Sequence, residues 1–174
     1  LKDWMLSHRF AGSKDRAAIG DLVFGALRWR ASSAWRLGEE APRAWVFGAL
    51  RWGFAKTPDA IARMCADPHS PAPPSDHEFE RLQRDDGLTD APAYVRGDYP
   101  EWLDDNFARA FGEERAEEGA ALAAPAPLDL RVNVLKTDRA ALIAALADAP
   151  RLTEAPHPTP FSPFGVRIPW AQGR

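Results

Sequence analysis

The sequence predicts a mainly α helical bundle over its first part, followed by a small α+β unit. Three observations carry that reading. Ile19, Leu22, Val23, Ala26 and Leu27 recur at i, i+3, i+4, i+7 and i+8, the stripe of an amphipathic helix. The heptapeptide Val-Phe-Gly-Ala-Leu-Arg-Trp occurs twice, at Val23–Trp29 and at Val46–Trp52. Strict two-residue alternation occurs in one stretch only, with Leu128, Leu130, Val132 and Val134 on one face and Asp129, Arg131 and Asn133 on the other.

Each element follows in order. Trp4, Met5 and His8 predict the back half of a helix. Ser13 reads as the N-cap of the striped helix, with Asp15 in its first turn and Arg28 and Arg30 at its far end, each charge where the helix dipole favours it. A short helix over Ser33–Leu37 closes at Gly38. The second heptapeptide predicts a helix from about Pro42 to Phe54, with Val46, Ala49 and Leu50 inward. Two copies do not make a solenoid, which takes at least about three repeats, so the copies read as two helices of one bundle. Thr57-Pro58 opens a further helix, cap then first-turn proline, with Ile61, Met64 and Cys65 inward. Asp67–Ser75 is proline-rich and reads as a semi-rigid linker. Asp76–Gln83 has room for two helical turns, and 85–98 reads as loop.

Tyr99-Pro100-Glu101-Trp102-Leu103 opens another helix, with Leu103, Phe107, Ala110 and Phe111 buried and Gly112 as its end. An acidic-headed helix follows over Glu113–Ala124. The alternating strand comes next, then Thr137 as N-cap of a helix carrying Leu142, Ile143 and Leu146, which Pro150 stops. A stiff proline loop (Pro156, Pro158, Pro160, Pro163) leads to a strand, Gly165–Trp170, expected to pair with Leu130–Leu135.

Charge is segregated. Residues 1–63 hold eleven Lys/Arg and six Asp/Glu, residues 64–127 five and fifteen, and residues 128–174 six and four, within a net charge of −3. Basic ends around an acidic middle are expected if the ends meet a polyanion. The single cysteine excludes an internal disulfide and points to a reducing, cytoplasmic setting. No apolar run approaches the ~20 residues that span a bilayer, so no membrane partner is expected. The first residue is Leu1 and the last Arg174, which read as the ends of a piece of a longer chain.

No catalytic constellation emerges. Neither common phosphate-binding glycine loop occurs. Cys65, Asp67, His69 and His77 can be drawn as a zinc site, but a cysteine on an apolar helical stripe is an ordinary packing choice, so no metal is expected. Glu113, Glu114, Glu117 and Glu118 read as a dipole-compensating helix start. Arg28, Trp29, Arg30 and Arg36 interleave cations with rings, which suits RNA: rings stack bases and cations hold phosphates. The competing reading makes the tryptophans core and the arginines helix caps.

Three stretches carry a family resemblance: S-K-D-R-A-A-I-G-D-L-V-F-G-A-L-R at Ser13–Arg28, Y-P-E-W-L at Tyr99–Leu103, and A-P-L-D-L-R-V-N-V-L-K at Ala126–Lys136, with T-P-F-S-P-F-G-V-R-I at Thr159–Ile168 in support. In this order they resemble the amino-terminal half of the Sun-family RNA cytosine-C5 methyltransferases, nearest the RsmB type. The resemblance implies a NusB-like helical RNA-binding domain over 1–66, a proline-rich acidic linker over 67–98, and an α+β RNA-recognition subdomain over 99–174, ahead of a methyltransferase domain that binds S-adenosylmethionine. It implies ribosomal RNA as partner, together with the C-terminal methyltransferase domain of the same full-length chain. Arg131, Asn133, Lys136 and Arg139 are then expected at the RNA in the subdomain, and Arg28, Arg30 and Arg36 on the helical domain. The family's Pro-Gly-Gly-Lys cofactor loop and its Pro-Cys or Thr-Cys nucleophile do not occur, and Cys65 stands in Met64-Cys65-Ala66. This stretch is therefore expected to be inactive alone, holding no cofactor itself, and S-adenosylmethionine is implied only for the full-length enzyme. The alternative is a NusB-like protein-interaction module without direct RNA contact.

Overall fold

The computed structural model describes residues 1–8, 10–67, 69–84, 87–147, 149, 152 and 154–169. Pro150 and Trp170, expected as a helix stop and a strand end, lie outside these. The chain forms two compact units, Leu1–Ala124 and Pro125–Arg174.

The first unit is helical: α1 (Lys2–Ser7), α2 (Ser13–Arg28), α3 (Arg30–Leu37), α4 (Pro42–Gly48), α5 (Pro58–Met64), α6 (Asp76–Gln83), α7 (Ala93–Arg96), α8 (Asp104–Phe111) and α9 (Arg115–Ala123). Its core is Leu37, Ala44, Phe47, Leu50, Ile61, Cys65 and Leu82, with Leu22, Val46 and Trp52 packed against it. The N-caps expected at Thr57 and the stop at Gly38 are present: Ala60 N–H donates to Thr57 Oγ1 at 3.2 Å, and Gly38 takes φ +72°. At α2 the expected cap moves by one residue. Gly12 is the cap, and its N–H donates to Asp15 Oδ2 at 3.0 Å; the aspartate reaches back more readily than a serine already inside the helix reaches forward.

Three expectations fail on packing. The α2 stripe is covered only in part: Ala26 is buried, while Val23, Phe24 and Leu27 stand in solvent. Met64 and Phe111 are exposed as well, although Ile61 and Cys65 on the same α5 stripe as Met64 are buried. Residues 67–98, expected as a linker, lie within the first unit and contribute α6, α7 and buried Leu82, Ala91 and Val95. The prolines stiffen the approach to α6, where Ser75 and Glu78 form a reciprocal cap: Ser75 N–H donates to Glu78 Oε2 at 2.7 Å and Glu78 N–H donates to Ser75 Oγ at 3.3 Å.

In the second unit, β1 (Leu128–Arg131), β2 (His157–Pro158) and β3 (Gly165–Ile168) form an antiparallel sheet in the order β1-β3-β2, with α10 (Arg139–Ala147) between β1 and β2 in the chain. Leu128 pairs with Ile168 and Arg131 with Gly165. The strand expected to reach Leu135 ends early because Asn133 folds the chain: its Oδ1 accepts from Leu135 N–H at 3.1 Å, and its carbonyl accepts from Lys136 N–H at 2.9 Å. Asp138, and not Thr137, caps α10, accepting from Ala141 N–H at 2.8 Å. The expected alternation holds at its centre, with Val132 and Val166 buried and Arg131 and Asn133 exposed, but Leu128 and Val134 are uncovered.

Candidate nucleic-acid interface

The seven arginine, asparagine and lysine positions expected at RNA fall into two kinds of surroundings. In the first unit they are held by their own protein. The Arg30 guanidinium lies 4.3 Å from the centre of the Trp45 ring and pairs with Glu40. Arg36 lies 4.5 Å over Trp52, and its carbonyl accepts from Arg81 Nη1 at 3.1 Å. Arg28 sits 6.0 Å over Trp29, at the outer limit for such contacts. The basic first third also pairs with the acidic middle. Arg43 donates from Nε to Glu78 at 2.7 Å, which holds the Glu78 carboxyl below its ordinary range. The charge segregation along the chain is thus partly cancelled inside one folded unit. The tryptophans serve as platforms for intramolecular guanidinium groups, close to the packing reading the sequence left open.

A buried-carboxylate clasp, which the sequence did not reveal, fixes α3. Asp98 accepts from Ser32 N–H at 2.8 Å and from Ser32 Oγ at 2.6 Å. The carboxylate lies at the first turn of α3, where unpaired N–H groups favour it. Burial pushes its pKa above the ordinary carboxylate value, against the pull of the Ser32 hydrogen bonds. Asp98 has φ +52°, a left-handed conformation that aspartate tolerates better than most residues. Beside it, Tyr99 stacks on Phe107 with ring centroids 4.2 Å apart and donates to Asp104 Oδ1 at 2.7 Å. Burial and then that hydrogen bond push the Tyr99 phenol up to about 12. The tyrosine of the Y-P-E-W-L motif is therefore an anchor, and Trp102 of the same motif is left in solvent.

In the second unit the cations are held less. Arg131 and Lys136 are exposed, and neither has an ion pair or side-chain hydrogen bond among the described residues. Asn133 spends its side-chain oxygen on the turn. Arg139 is half-buried and donates from Nη1 to the Ser162 carbonyl at 3.1 Å. Two of the carboxylates nearby are engaged: Asp129 holds Arg167 through two 2.7 Å hydrogen bonds, and Asp138 caps α10.

Residues 99–171 match the family model of the ferredoxin-like domain of RsmF/B-like methyltransferases. The match supports the Sun-family resemblance over that span, which is under half of the chain and leaves residues 1–98 outside it. The ferredoxin-like match begins before the second unit does. It takes in α8 and α9, which pack within the first unit, where the Gly119 Cα lies against the Tyr99 ring. No curated protein and no solved structure matches the chain. The sheet described within the ferredoxin-like span is antiparallel, in the order β1-β3-β2. Among the described residues, no three His, Cys, Asp or Glu side chains group as metal ligands, and no helix is long and apolar enough to cross a membrane.

Proposed function

We propose that this chain positions ribosomal RNA for an S-adenosylmethionine-dependent cytosine-C5 methyltransferase of the RsmB type, whose chemistry resides in another domain of the full-length protein. The observation that carries the reading is the exposure of Arg131 and Lys136, neither with an ion pair among the described residues, within the span that the family match covers. Cations of this kind hold phosphates and set register, while base chemistry belongs to the catalytic domain. Arg28, Arg30 and Arg36 serve the helical unit's own packing first and contribute to RNA binding through the field they leave. Arg139 and Asn133 shape the loops that present Arg131 and Lys136.

The test is a salt titration of binding to structured rRNA fragments. Arg131→Ala is expected to weaken binding and lower the log–log salt slope by about one unit; an unchanged slope and affinity would remove Arg131 from the interface. A second reading, a protein-interaction module of the NusB-like kind, is favoured by the uncovered Phe24 and Leu27 on α2. Absence of RNA binding by the intact chain at low salt would select it.

A further inference from the structure

The topology of the second unit brings three surface features to one end of its sheet. Arg131 pairs with Gly165 at that end. Asn133–Lys136 turns there, and Val132 N–H donates to the Phe164 carbonyl at 2.9 Å, which joins the turn to the loop entering β3. The loop Thr159–Phe164 leaves β2 at the same end, because His157 pairs with Arg167 and Pro158 with Val166.

That loop is closed on itself and tied down. Thr159 N–H donates to the Gly165 carbonyl at 3.1 Å, and Gly165 N–H to the Ser162 carbonyl at 3.3 Å. Phe164 N–H donates to Ser162 Oγ at 3.3 Å, and Arg139 grips the Ser162 carbonyl from α10. Gly165 is required here, since a Cβ on it would lie 1.9 Å from Thr159 Oγ1. Pro160 and Pro163 flank the tip and restrict it further. What this fixed loop presents is a phenylalanine, Phe161, 98% exposed. An aromatic ring held in water gains nothing from folding, while the pinned backbone beneath it has lost conformational entropy. The surrounding charge indicates the kind of surface that would cover it. Among the described residues Arg131 and Lys136 have no ion pair at this end, Asp129 is paired with Arg167, Asp138 caps α10, and Glu154 enters β2 from the opposite end. A flat ring at the same end of the sheet as exposed cations is the chemistry that receives an unstacked base on a phosphate backbone.

We infer that Phe161 is a base-stacking residue, and that the Arg131–Lys136–Phe161 end of the sheet takes an unpaired, single-stranded RNA segment. This rests on the RNA-positioning reading above and narrows it: a duplex keeps its bases stacked inside and offers the ring nothing.

The experiment uses the full 174-residue chain and fluorescence anisotropy with an unstructured labelled oligoribonucleotide and a duplex of equal length. The parent is expected to bind the single strand more tightly than the duplex. Phe161→Ala should weaken single-strand binding by about 5- to 100-fold, the range of one base–aromatic stack, with the salt slope unchanged. Phe161→Trp should restore it. Arg131→Ala should instead lower the slope by about one unit. Because Phe161 is exposed, Phe161→Ala should keep the parent's circular dichroism and melting. RNA binding by the parent with Phe161→Ala equal to it overturns the inference, assigns the ring to contact with protein, and leaves the RNA-positioning reading standing. Equal losses on duplex and single strand also overturn it. No binding of either RNA by the parent overturns both.

Discussion

The two copies of Val-Phe-Gly-Ala-Leu-Arg-Trp share every side chain and begin in the same helical backbone, yet they end in different places. In α2 the first copy leaves Phe24 58% exposed; in α4 the second buries Phe47 to 2%. The first continues as α-helix, with Trp29 N–H donating to the Gly25 carbonyl at 3.0 Å. The second widens into a π-helical turn, Ala49–Gly53, with Phe54 N–H donating to the Ala49 carbonyl at 2.8 Å. That turn lets Gly53 approach the Trp29 ring, which would lie 2.1 Å from a Cβ there, and sets Trp29 edge-on to Phe54. Trp52 meanwhile lies under the Arg36 guanidinium. What the pair teaches is that a heptapeptide's helical propensity is local, whereas which of its faces is a core face depends on what packs beside it. The second copy has α3, α5 and α6 around it; the first has a neighbour mainly along its Gly25–Ala26 side.

The largest test of this contrast is Phe47→Ala against Phe24→Ala. Emptying the Phe47 site should cost about 3–5 kcal/mol. The same change at Phe24 should cost less than about 1 kcal/mol. Urea denaturation of the two variants measures the gap; similar losses would mean the copies are equivalent after all.

The glycines sharpen it. A Cβ at Gly48 would lie 2.3 Å from the Ser33 side chain and 2.9 Å from its Cα, so the α3 backbone must move. Gly48→Ala should therefore cost about 1–3 kcal/mol, as overpacking does. At Gly25 the Cβ meets only side-chain ring atoms, of Phe54 at 2.8 Å and Trp29 at 3.1 Å, and no backbone. Helix propensity returns up to about 1 kcal/mol there, and Gly25→Ala should stay within about 1 kcal/mol of the parent. Thermal melts of both report the difference.

A further test concerns Asp98, which clasps α3, the helix against which the second copy packs. Asp98→Ala leaves the α3 first turn unpaired and should cost about 1–2 kcal/mol. Its pH signature has a definite sign. The folded state holds the Asp98 proton more tightly than the unfolded state, because burial raises the pKa from 3.8. This group's contribution to stability therefore falls as pH rises from the ordinary value through the raised one. Glu78, lowered by Arg43, contributes the opposite slope, so the quantity to measure is the variant's stability minus the parent's across the carboxylate range. A difference that does not change with pH would remove the clasp's burial from the account.

Much of the fold was legible. α2 follows from its periodicity and α5 from its cap and first-turn proline, and Gly38 and Gly112 end their helices at φ +72° and +58°. β2 was missed because two residues within a proline loop carry no alternation, and α7 because four residues carry no period. Of the candidate site, the outward Arg131 and Asn133 were readable from the alternation. The engagement of Arg30 by Glu40 was not, because ten residues separate the two in the chain; that of Asn133 was masked by the run of alternating residues, although its partner Leu135 lies only two residues on.

By itself the sequence determined which stretches are helical, which residues alternate at the centre of β1, and that the chain resembles the Sun-family methyltransferases, since caps, prolines and periods act within a few residues. Tertiary structure alone decided which copy of the heptapeptide became core, that the acidic middle would fold back onto the basic helices, and that the loop carrying Phe161 would be pinned at the Arg131 end of the sheet. Those outcomes are set by contacts between residues far apart in the chain, and solvent exclusion has no local code.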